Sequence, residues 1–551
     1  MKIAVAQINP KVGDIEGNLA RVKKFSLAAA SAGAELTVFP ELALTGYPPL
    51  DLLENEDFIK ANLRALKKLA SLKIKTAIVV GCADFNHSPK GKALRNCAAL
   101  VAGGKILALR AKSLLPAYGV FDEARYFEPA AENLPVVFNG RKLGLTICED
   151  IWAGTELLPK RLLYRNNPVE TLCARKAEII INISASPYYY GKTARRFAVL
   201  SGLAKKIKKP VIYANQTGAN DELIFDGNSF ALDAKGRLTA KARSFREDLI
   251  LTDTGEKTAR VEFDLPSKGA ELGLALTLGI RDYFLKSGHS KAVLGLSGGI
   301  DSAVAAALAA RALGPGNVEA LLMPSAYTSA RSVSDALALA GNLGIKSEIL
   351  PIKNIYSAFL KTLGCARNKS VPLYMQNLQA RARGTLLMAR ANITGALALV
   401  TGNKSEIAVG YCTLYGDTAG ALALLADLVK EDVYAVARWL NSTGELIPLS
   451  IINRPPTAEL KPGQKDSDDL PPYKILDRVI RLYIEQNKNP AAIAALSGLG
   501  KKTVIALLKR IESSEYKRKQ LPTGLIVSEK SFCAGRKMPV TKTMDFISRH
   551  S

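Results

Sequence analysis

Residues 294–302 read LGLSGGIDS and lead directly into a second apolar stretch, AVAAALAARALG, at residues 303–314. The apolar run at residues 292–296 is typical of a buried strand, and the alanine-rich run after the loop is typical of a helix. Gly298 and Gly299 let the backbone approach an anion closely, while a helix N-terminus supplies free N–H groups and a positive dipole. The stretch therefore predicts a phosphate-binding loop in a parallel α/β sheet.

The loop differs from a Walker A motif because it lacks the Gly-Lys-Ser/Thr ending, so a strong grip on a γ-phosphate is not expected. Its serines add hydroxyl donors, and Asp301 is suited to hold Mg²⁺ that itself binds phosphate. A second cluster, LVTGNKSEIAVGYCTLYG at residues 399–416, begins where another predicted strand ends. Open α/β sheets bind ligands at that end of their strands. Thr401 and Glu406 are therefore predicted to face the nucleotide and its metal, although Glu406 alone also suits a helix start.

The domain organisation of the chain is predicted from its length and from its Pro-, Ser- and Gly-containing stretches. Its 551 residues, 48% hydrophobic and 23% charged, are typical of a globular protein with at least two domains. A Pro-, Ser- and Gly-containing stretch at residues 264–273 predicts domains at 1–265 and 266–551. Predicted strands lie at residues 2–8, 36–41, 76–83, 143–148, 178–183, 211–215, 292–296, 318–323, 347–352 and 396–401. The first domain mixes hairpins with helices, which predicts layered α/β sheets, and the second alternates regularly, which predicts a doubly wound, mainly parallel sheet.

Composition narrows the class of protein. The excess of 75 basic over 50 acidic residues, +25, favours anionic partners, although a general lysine bias explains it equally well. Three scattered histidines exclude a paired-histidine zinc motif. Seven widely spaced cysteines without a CxxC pair favour a reducing, cytoplasmic location over a disulfide framework. The chain has no apolar run of 18 residues, so we expect no membrane span. Residues 455–473, rich in Pro, Asp and Lys, predict a long loop that we interpret as a lid.

Three residues of the first half suggest nucleophilic chemistry without histidine. Cys148 and Glu41 lie where predicted strands end, and Lys112 follows a predicted hairpin. A cysteine attacks as thiolate, a carboxylate can accept its proton, and a lysine can stabilise the oxyanion. Taken singly, a strand cysteine is more often a small buried hydrophobe, and the other two suit an exposed surface. Spacing in the sequence alone does not bring the three together.

Several strings of the second half appear in the order of a known family. They are LGLSGGIDSA, MPSAYTSARSVSDA, NLQARARG, TGNKSEIAVGYCTLYGD, RPPTAEL and EYKRKQ. With them the second half resembles the NAD synthetase family of N-type ATP pyrophosphatases, which have an adenine nucleotide alpha hydrolase-like fold. The resemblance implies that ATP, as co-substrate, adenylates the nicotinate carboxylate of deamido-NAD (nicotinic acid adenine dinucleotide) and that ammonia then displaces AMP.

The same resemblance implies roles for individual residues. Asp301 and Glu406 match Mg²⁺ ligands. Asn377, Glu406 and Lys517 match deamido-NAD contacts. ATP contacts are implied for Gly295, Leu296, Ser297, Gly298, Gly299, Ile300, Asp301, Ser302 and Thr401.

The first half carries a second resemblance. The strings FPELALTGYPPLDLL, LLPAYGVFDEARYF, ICEDIW and NISASPYYYGK look like the nitrilase superfamily, specifically the glutaminase domain fused to NAD synthetases. This implies an αββα sandwich in which Glu41 is the general base, Lys112 stabilises the oxyanion and Cys148 is the nucleophile. Glutamine contacts are implied for Tyr118, Ser186 and Lys192. Ammonia channelled between the sites and a homo-oligomer, often an octamer, are also implied, and neither nucleic acid nor membrane is expected as a partner.

Two other functions remain open from the residues. The basic charge is compatible with another N-type ATP pyrophosphatase, such as a tRNA-modifying enzyme, although such an enzyme usually needs paired catalytic cysteines. The candidates for that pair, Cys365 and Cys412, lie at positions without a catalytic role in the family. A non-catalytic nucleotide-binding protein would keep the fold without keeping so many chemically active residues together.

Overall fold

The computed structural model describes residues 1–154, 164–255, 261–365 and 371–547. The chain forms two compact units, Met1–Leu265 and Pro266–Ser551. Among the described residues, no single helix is both long and apolar enough to cross a membrane. Pro490–Ser497 and Lys501–Arg518 meet that criterion only when they are taken together, across a bend of 117°.

Among its described residues, the first unit has two six-stranded mixed sheets, which carry helices on their outer faces, and one two-stranded sheet. Its strands are β1 (Lys2–Gln7), β2 (Leu36–Val38), β3 (Ala77–Phe85), β4 (Leu94–Ala102), β5 (Lys105–Ala111), β6 (Val136–Phe138), β7 (Arg141–Ile147), β8 (Ile179–Ser184), β9 (Val211–Asn215), β10 (Thr217–Asn220), β11 (Leu223–Asp226), β12 (Phe230–Leu232), β13 (Leu238–Lys241) and β14 (Asp248–Asp253). Its helices are α1 (Ile15–Ser31), α2 (Glu56–Ser71), α3 (Pro168–Ala174) and α4 (Lys192–Ile207).

The two six-stranded sheets of this unit face each other across one core, and β10 pairs with β11 in the two-stranded sheet. Their strand orders are β14-β1-β2-β3-β4-β5 and β13-β12-β9-β8-β7-β6. Alternate residues point inward, as Leu143, Leu145 and Ile147 of β7 do, and they pack with Ile3 and Val5 of β1. Helices α1 and α2 cover the outside of the first sheet, and α3 and α4 cover the second. The predicted αββα sandwich is confirmed.

The second unit contains one six-stranded sheet in which every pair is parallel. Its strands are β15 (Ala292–Gly295), β16 (Val318–Leu322), β17 (Lys346–Ile349), β18 (Leu397–Val400), β19 (Leu422–Ala423) and β20 (Thr523–Gly524). Its helices are α5 (Lys268–Lys286), α6 (Ile300–Leu313), α7 (Ala330–Leu343), α8 (Lys353–Thr362), α9 (Leu373–Thr394), α10 (Lys404–Ala408), α11 (Lys430–Leu440), α12 (Leu449–Ile452), α13 (Tyr473–Ile480), α14 (Pro490–Ser497), α15 (Lys501–Ser513) and α16 (Glu515–Arg518).

The strand order of this sheet, β17-β16-β15-β18-β19-β20, reverses direction between β15 and β18. That reversal opens a crevice at the carboxyl ends of the two strands, which is the usual ligand site of a doubly wound sheet. The loop after β15 and the turn after β18 both lead into it. The predicted doubly wound, parallel architecture is confirmed.

Some predicted boundaries were wrong by a few residues. The strand predicted at residues 36–41 ends at Val38, and Glu41 follows in a turn. The strand predicted at residues 143–148 ends at Ile147 because the chain turns sharply at Cys148. Both residues still follow the carboxyl ends of parallel strands, where side chains from neighbouring strands converge.

Candidate active sites

Cys148 lies at a strained point of the backbone. It follows β7, opens a short 3₁₀ helix (Cys148–Ile151) and has a φ of 42°, in the left-handed region that non-glycine residues seldom adopt. Such strain concentrates at functional sites. Burial and the charge of Glu41 raise the pKa of the Cys148 thiol, although Lys112 opposes this effect. The resting thiol is therefore protonated and needs a base before it can attack.

Glu41 and Lys112, both fully buried, meet beside this cysteine. Lys112 Nζ lies 2.7 Å from Glu41 Oε1, and Asn96 Nδ2 donates to the same oxygen at 2.7 Å. The other oxygen, Oε2, accepts one hydrogen bond, from the Ala185 backbone N–H at 3.0 Å. One carboxylate oxygen is thus held by two side-chain donors while the other keeps capacity to accept a proton.

Two further residues that the sequence interpretation missed complete this cluster. Lys112 Nζ also donates to both oxygens of Glu123, at 2.8 and 2.7 Å, and the Tyr47 hydroxyl donates to Glu123 Oε1 at 2.9 Å. Burial raises the pKa of Glu123 to about 7, against the opposing charge of Lys112. Burial alone would lower the pKa of Lys112. The negative charges of Glu123 and Glu41 outweigh this effect and raise the lysine pKa. The ammonium is therefore held charged between two carboxylates.

The three predicted glutamine positions lie around the same region of the first unit. Glu149 directly follows Cys148 in the chain. The Tyr118 hydroxyl donates to both of its carboxylate oxygens, at 2.8 and 3.0 Å. The Ser186 N–H donates to Asn215 Oδ1 at 3.0 Å. Lys192 Nζ donates to the Pro187 carbonyl at 2.6 Å.

The electrostatics of these positions favour an amino-acid ligand. Burial, followed by the charge of Arg196, lowers the pKa of Lys192 to about 8. Tyr164, which the sequence interpretation missed, is a second hydroxyl donor to Glu149, at 2.9 Å. A cation and a carboxylate near one nucleophile suit the carboxylate and ammonium groups of an amino acid.

In the second unit, the loop after β15 has the predicted form of a phosphate cradle. Gly298 has a φ of 80°, and a Cβ atom there would lie 2.3 Å from the Ser332 carbonyl, so only glycine fits. The Gly299 N–H donates to Ser297 Oγ at 3.2 Å, and Ser302 Oγ lies 3.1 Å from the same oxygen. The chain then enters α6, whose N-terminal N–H groups face the loop.

All predicted ATP and deamido-NAD contacts line one cavity of about 770 Å³. Lys517 Nζ donates to the carbonyls of Gly410 and Cys412, both at 2.7 Å, and Thr413 Oγ1 donates to Asn377 Oδ1 at 2.9 Å. The loop predicted at residues 455–473 supplies part of the wall, and Tyr473 begins α13. Whether this loop moves as a lid stays a prediction.

The two predicted metal ligands face each other across a lysine that the sequence interpretation missed. Lys430 Nζ lies 2.5 Å from Asp301 Oδ2 and 3.4 Å from Glu406 Oε1. Asn403 Nδ2 donates to Asp301 Oδ1 at 3.0 Å and so orients that carboxylate. Burial and the charge of Asp301 raise the pKa of Glu406 to about 8. The raised pKa of Glu406 means that the single Lys430 ammonium does not offset both carboxylates, so a second cation beside them would be favoured.

These oxygen donors fit Mg²⁺ that arrives with a nucleotide. Mg²⁺ is usually held by one or two carboxylates together with substrate phosphates and water. In the part of the chain that the structure describes, no group of three or more His, Cys, Asp or Glu residues is arranged to hold a metal alone. Asp301 and Glu406 would therefore supply only part of a metal's ligands, and phosphate oxygens beside the glycine loop would supply others.

Comparisons with known proteins agree with both halves of this description. The carbon-nitrogen hydrolase family model matches residues 2–260, and the NAD synthase family model matches residues 274–521. A glutamine-dependent NAD(+) synthetase of Synechocystis is 43% identical over 98% of both chains, and one of Thermotoga maritima is 40% identical over 98% of both chains.

Solved structures agree as well. The glutamine-dependent NAD+ synthetase of Acinetobacter baumannii, solved in complex with ADP, is 37% identical over 98% of both chains, with a TM-score of 0.76. A synthetase of the same name from Cytophaga hutchinsonii, 21% identical over the whole of both chains with a TM-score of 0.82, shows the same fold. The resemblance predicted from the motifs is confirmed. The chain belongs to the family of glutamine-dependent NAD(+) synthetases.

Proposed function

We propose that this chain is a ligase that amidates deamido-NAD to NAD, with ATP cleaved to AMP and pyrophosphate and with glutamine as the nitrogen donor. The observation that supports this best is the presence, in one chain, of a buried Glu41–Lys112 pair beside Cys148 and of a separate cavity lined by the SGGIDS loop. Residues 1–265 would act as the glutaminase and residues 266–551 as the synthetase. The alternative of a tRNA-modifying enzyme is not favoured, because the full-length relatives are synthetases.

In the first unit, Cys148 attacks the carboxamide carbon of glutamine. Glu41 accepts the thiol proton as the S–C bond forms, and Oε2 is its freer oxygen. Lys112 stabilises the charge that develops on the amide oxygen. The C–N bond then breaks, Glu41 returns the proton to the leaving nitrogen, and ammonia departs from a glutamyl thioester. Water, deprotonated by Glu41, hydrolyses the thioester to glutamate and restores the thiol.

Glutamine recognition is assigned to the residues around Cys148. Lys192, which is partly buried, supplies a positive charge for the α-carboxylate, and Ser186 and Tyr118 supply further polar contacts. Glu149, placed next to the nucleophile and held by the Tyr118 hydroxyl, offers a negative charge to the α-ammonium. The two charges of the substrate meet opposite charges of the protein. Amides that lack an α-carboxylate and an α-ammonium group should therefore bind weakly.

In the second unit, the residues from Gly295 to Ser302, together with Thr401, bind ATP. Asn377, Glu406 and Lys517 bind deamido-NAD. The nicotinate carboxylate attacks the α-phosphorus, the bond to pyrophosphate breaks, and ammonia then attacks the acyl carbon and releases AMP. Mg²⁺, held by Asp301 and Glu406, would neutralise phosphate charge during adenylation. Lys430, already placed between those carboxylates, adds a fixed positive charge for the leaving pyrophosphate.

Three finer statements accompany this proposal. Ammonia passes from the first site to the second without release to solvent, which the fusion of both activities in one chain supports. The chain works as a homo-oligomer, up to an octamer, which light scattering of the purified protein would measure. It acts in the cytoplasm, which the seven free cysteines support.

The test measures NAD formed by the purified full chain from ATP, Mg²⁺ and deamido-NAD, with either glutamine or ammonium. We expect NAD from both nitrogen sources, and glutamate in step with NAD when glutamine is used. NAD from ammonium alone would contradict a working glutaminase. NAD from neither source would overturn the assignment of the substrate.

A further inference from the structure

A buried carboxylate outside the catalytic cluster gathers four side chains of the first unit. Asp226 ends β11, and its side chain is fully buried. Arg196 Nη2 donates to both of its oxygens at 2.9 Å, and Thr193 Oγ1 and Asn228 Nδ2 donate to Oδ2 at 2.8 Å. Asn215 Nδ2 donates to Oδ1 at 3.4 Å. The carboxylate therefore joins β11 to α4 and to the end of β9.

Three of these four side chains, Thr193, Arg196 and Asn215, lead to a position assigned to glutamine. Thr193 and Arg196 lie at the start of α4, and Lys192 is the first residue of that helix. Asn215 accepts the Ser186 N–H with its Oδ1 at 3.0 Å, while its Nδ2 donates to the Gly227 carbonyl at 2.8 Å and to Asp226 Oδ1 at 3.4 Å. The lysine and the serine come from separate segments, and Asp226 is the group that both segments share.

The buried ion pair between Arg196 and Asp226 is better suited to orienting side chains than to stabilising the fold. The attraction within a buried ion pair does little more than offset the free energy of desolvating the two charges. Apolar residues of similar volume often stabilise the fold equally well. A planar guanidinium on a carboxylate does, however, fix relative orientation, because both groups have defined donor and acceptor directions. The helix start needs such fixing, since Gly191, just before α4, has a left-handed φ of 87° and gives α4 no side-chain cap.

We propose that Asp226 is a positioning residue for glutamine recognition, which holds Lys192 and Ser186 in register with Cys148 without contacting glutamine itself. The inference rests on the proposed function of the first unit and goes beyond it, because it assigns the geometry of the amino-acid site to one remote carboxylate. The Arg196 guanidinium, paired with Asp226, also faces Tyr213, whose hydroxyl accepts from Nη1 at 3.2 Å. The pair thus also contacts the central strand β9.

The test is a comparison of glutamine kinetics, measured as glutamate release by the full chain. Thr193→Val removes one hydrogen bond at nearly constant volume, and Asp226→Asn removes the charge. Asp233→Asn is the matched control, because it breaks an exposed Asp–Arg pair with Arg237 in the same unit. We expect KM for glutamine to rise about tenfold in Thr193→Val and further in Asp226→Asn, since one lost hydrogen bond to a charged group amounts to about a tenfold change. We expect kcat to stay within about twofold.

Two readouts distinguish positioning from general damage. Alkylation of Cys148 by iodoacetamide, which needs no glutamine site, should proceed at the wild-type rate, and NAD formation from ammonium should be unchanged. An unchanged KM in both variants would overturn the inference. If Thr193→Val lowered kcat and the alkylation rate as much as it raised KM, the inference would also be overturned, because Asp226 would then only stabilise the fold. Should Asp226→Asn not fold, Thr193→Val alone decides. If the wild type released no glutamate, the proposed function itself would fail.

Discussion

Lys430 and Asp301, 129 residues apart in the chain, form an ion pair with 2.5 Å between Nζ and Oδ2. The pair exists because α11 and α6 begin at the same crevice of the parallel sheet. The ammonium also reaches Glu406, so the two carboxylates share one buried cation. The cavity lined by the SGGIDS loop thus combines two carboxylates with a fixed positive charge, as the proposed Mg²⁺ and phosphate contacts require.

Replacement of the nucleophile separates the two reactions. Cys148→Ala should lower NAD formation from glutamine by about 10³-fold or more, because no other group can form the thioester. NAD formation from ammonium should stay at the wild-type rate, since the second unit keeps all its residues. The measurement is NAD yield with each nitrogen source. Loss of both activities would mean that Cys148 also supports folding or coupling.

Asn96 should matter for glutamine hydrolysis although it is not one of the three predicted catalytic residues. Asn96→Leu removes a 2.7 Å hydrogen bond to Glu41 Oε1. A hydrogen bond to a charged group amounts to about 1.5–3 kcal/mol, so glutamate release should fall about 10- to 150-fold. Asn86→Leu, in an exposed turn of the same unit, is the control. Equal rates in Asn96→Leu and the wild type would contradict a role in holding the base.

The pH dependence of glutamine binding should follow Lys192. Its pKa is lowered to about 8 by burial and by Arg196, so the ammonium is charged below pH 8 and neutral above it. KM for glutamine should therefore rise about tenfold per pH unit above that value, because the charge that binds the α-carboxylate is lost. Lys192→Arg keeps its charge and should remove this rise. Parallel KM profiles of the two proteins between pH 7 and about 10 would refute the assignment.

Lys430 should be needed whatever the nitrogen source. Lys430→Met removes the positive charge beside Asp301 and should lower AMP formation by about 10²- to 10³-fold, as loss of a preorganised charge does in other sites. Glutamate release from glutamine should not change. Lys346→Met, which removes an exposed lysine paired with the buried Glu319, is the control in the same unit. Full activity of Lys430→Met with ammonium would exclude the proposed contact with pyrophosphate.

Removal of Mg²⁺ should affect only one of the two reactions. With excess EDTA we expect no NAD from either glutamine or ammonium, since Asp301 and Glu406 would lack the cation that offsets phosphate charge. Glutamate release should continue, because the Glu41–Lys112–Cys148 cluster contains no metal ligand set. Added Mg²⁺ should restore NAD formation. Persistence of NAD formation in EDTA would argue against a metal at these carboxylates.

Local sequence determined much of this protein. The alternation in β7 places Leu143, Leu145 and Ile147 in the core, and the SGGIDS string specifies a turn that only glycine can make at position 298. Such features depend on neighbours within a few residues, so they can be predicted from the sequence without a structure. The same holds for the apolar strands that lead to Glu41, Cys148 and Thr401.

Tertiary structure decided which charges meet. Glu123, Asn96 and Lys430 were not singled out from the sequence, because each acquires its partner only when distant strands and helices converge. Lys112 meets Glu41 across 71 residues, and Asp226 meets Arg196 across 30. Burial then turns ordinary ionisable groups into perturbed ones, since desolvation and a close charge act only in the folded interior. The sequence thus determined the framework and its reactive residues, while strand order and burial decided their pairing.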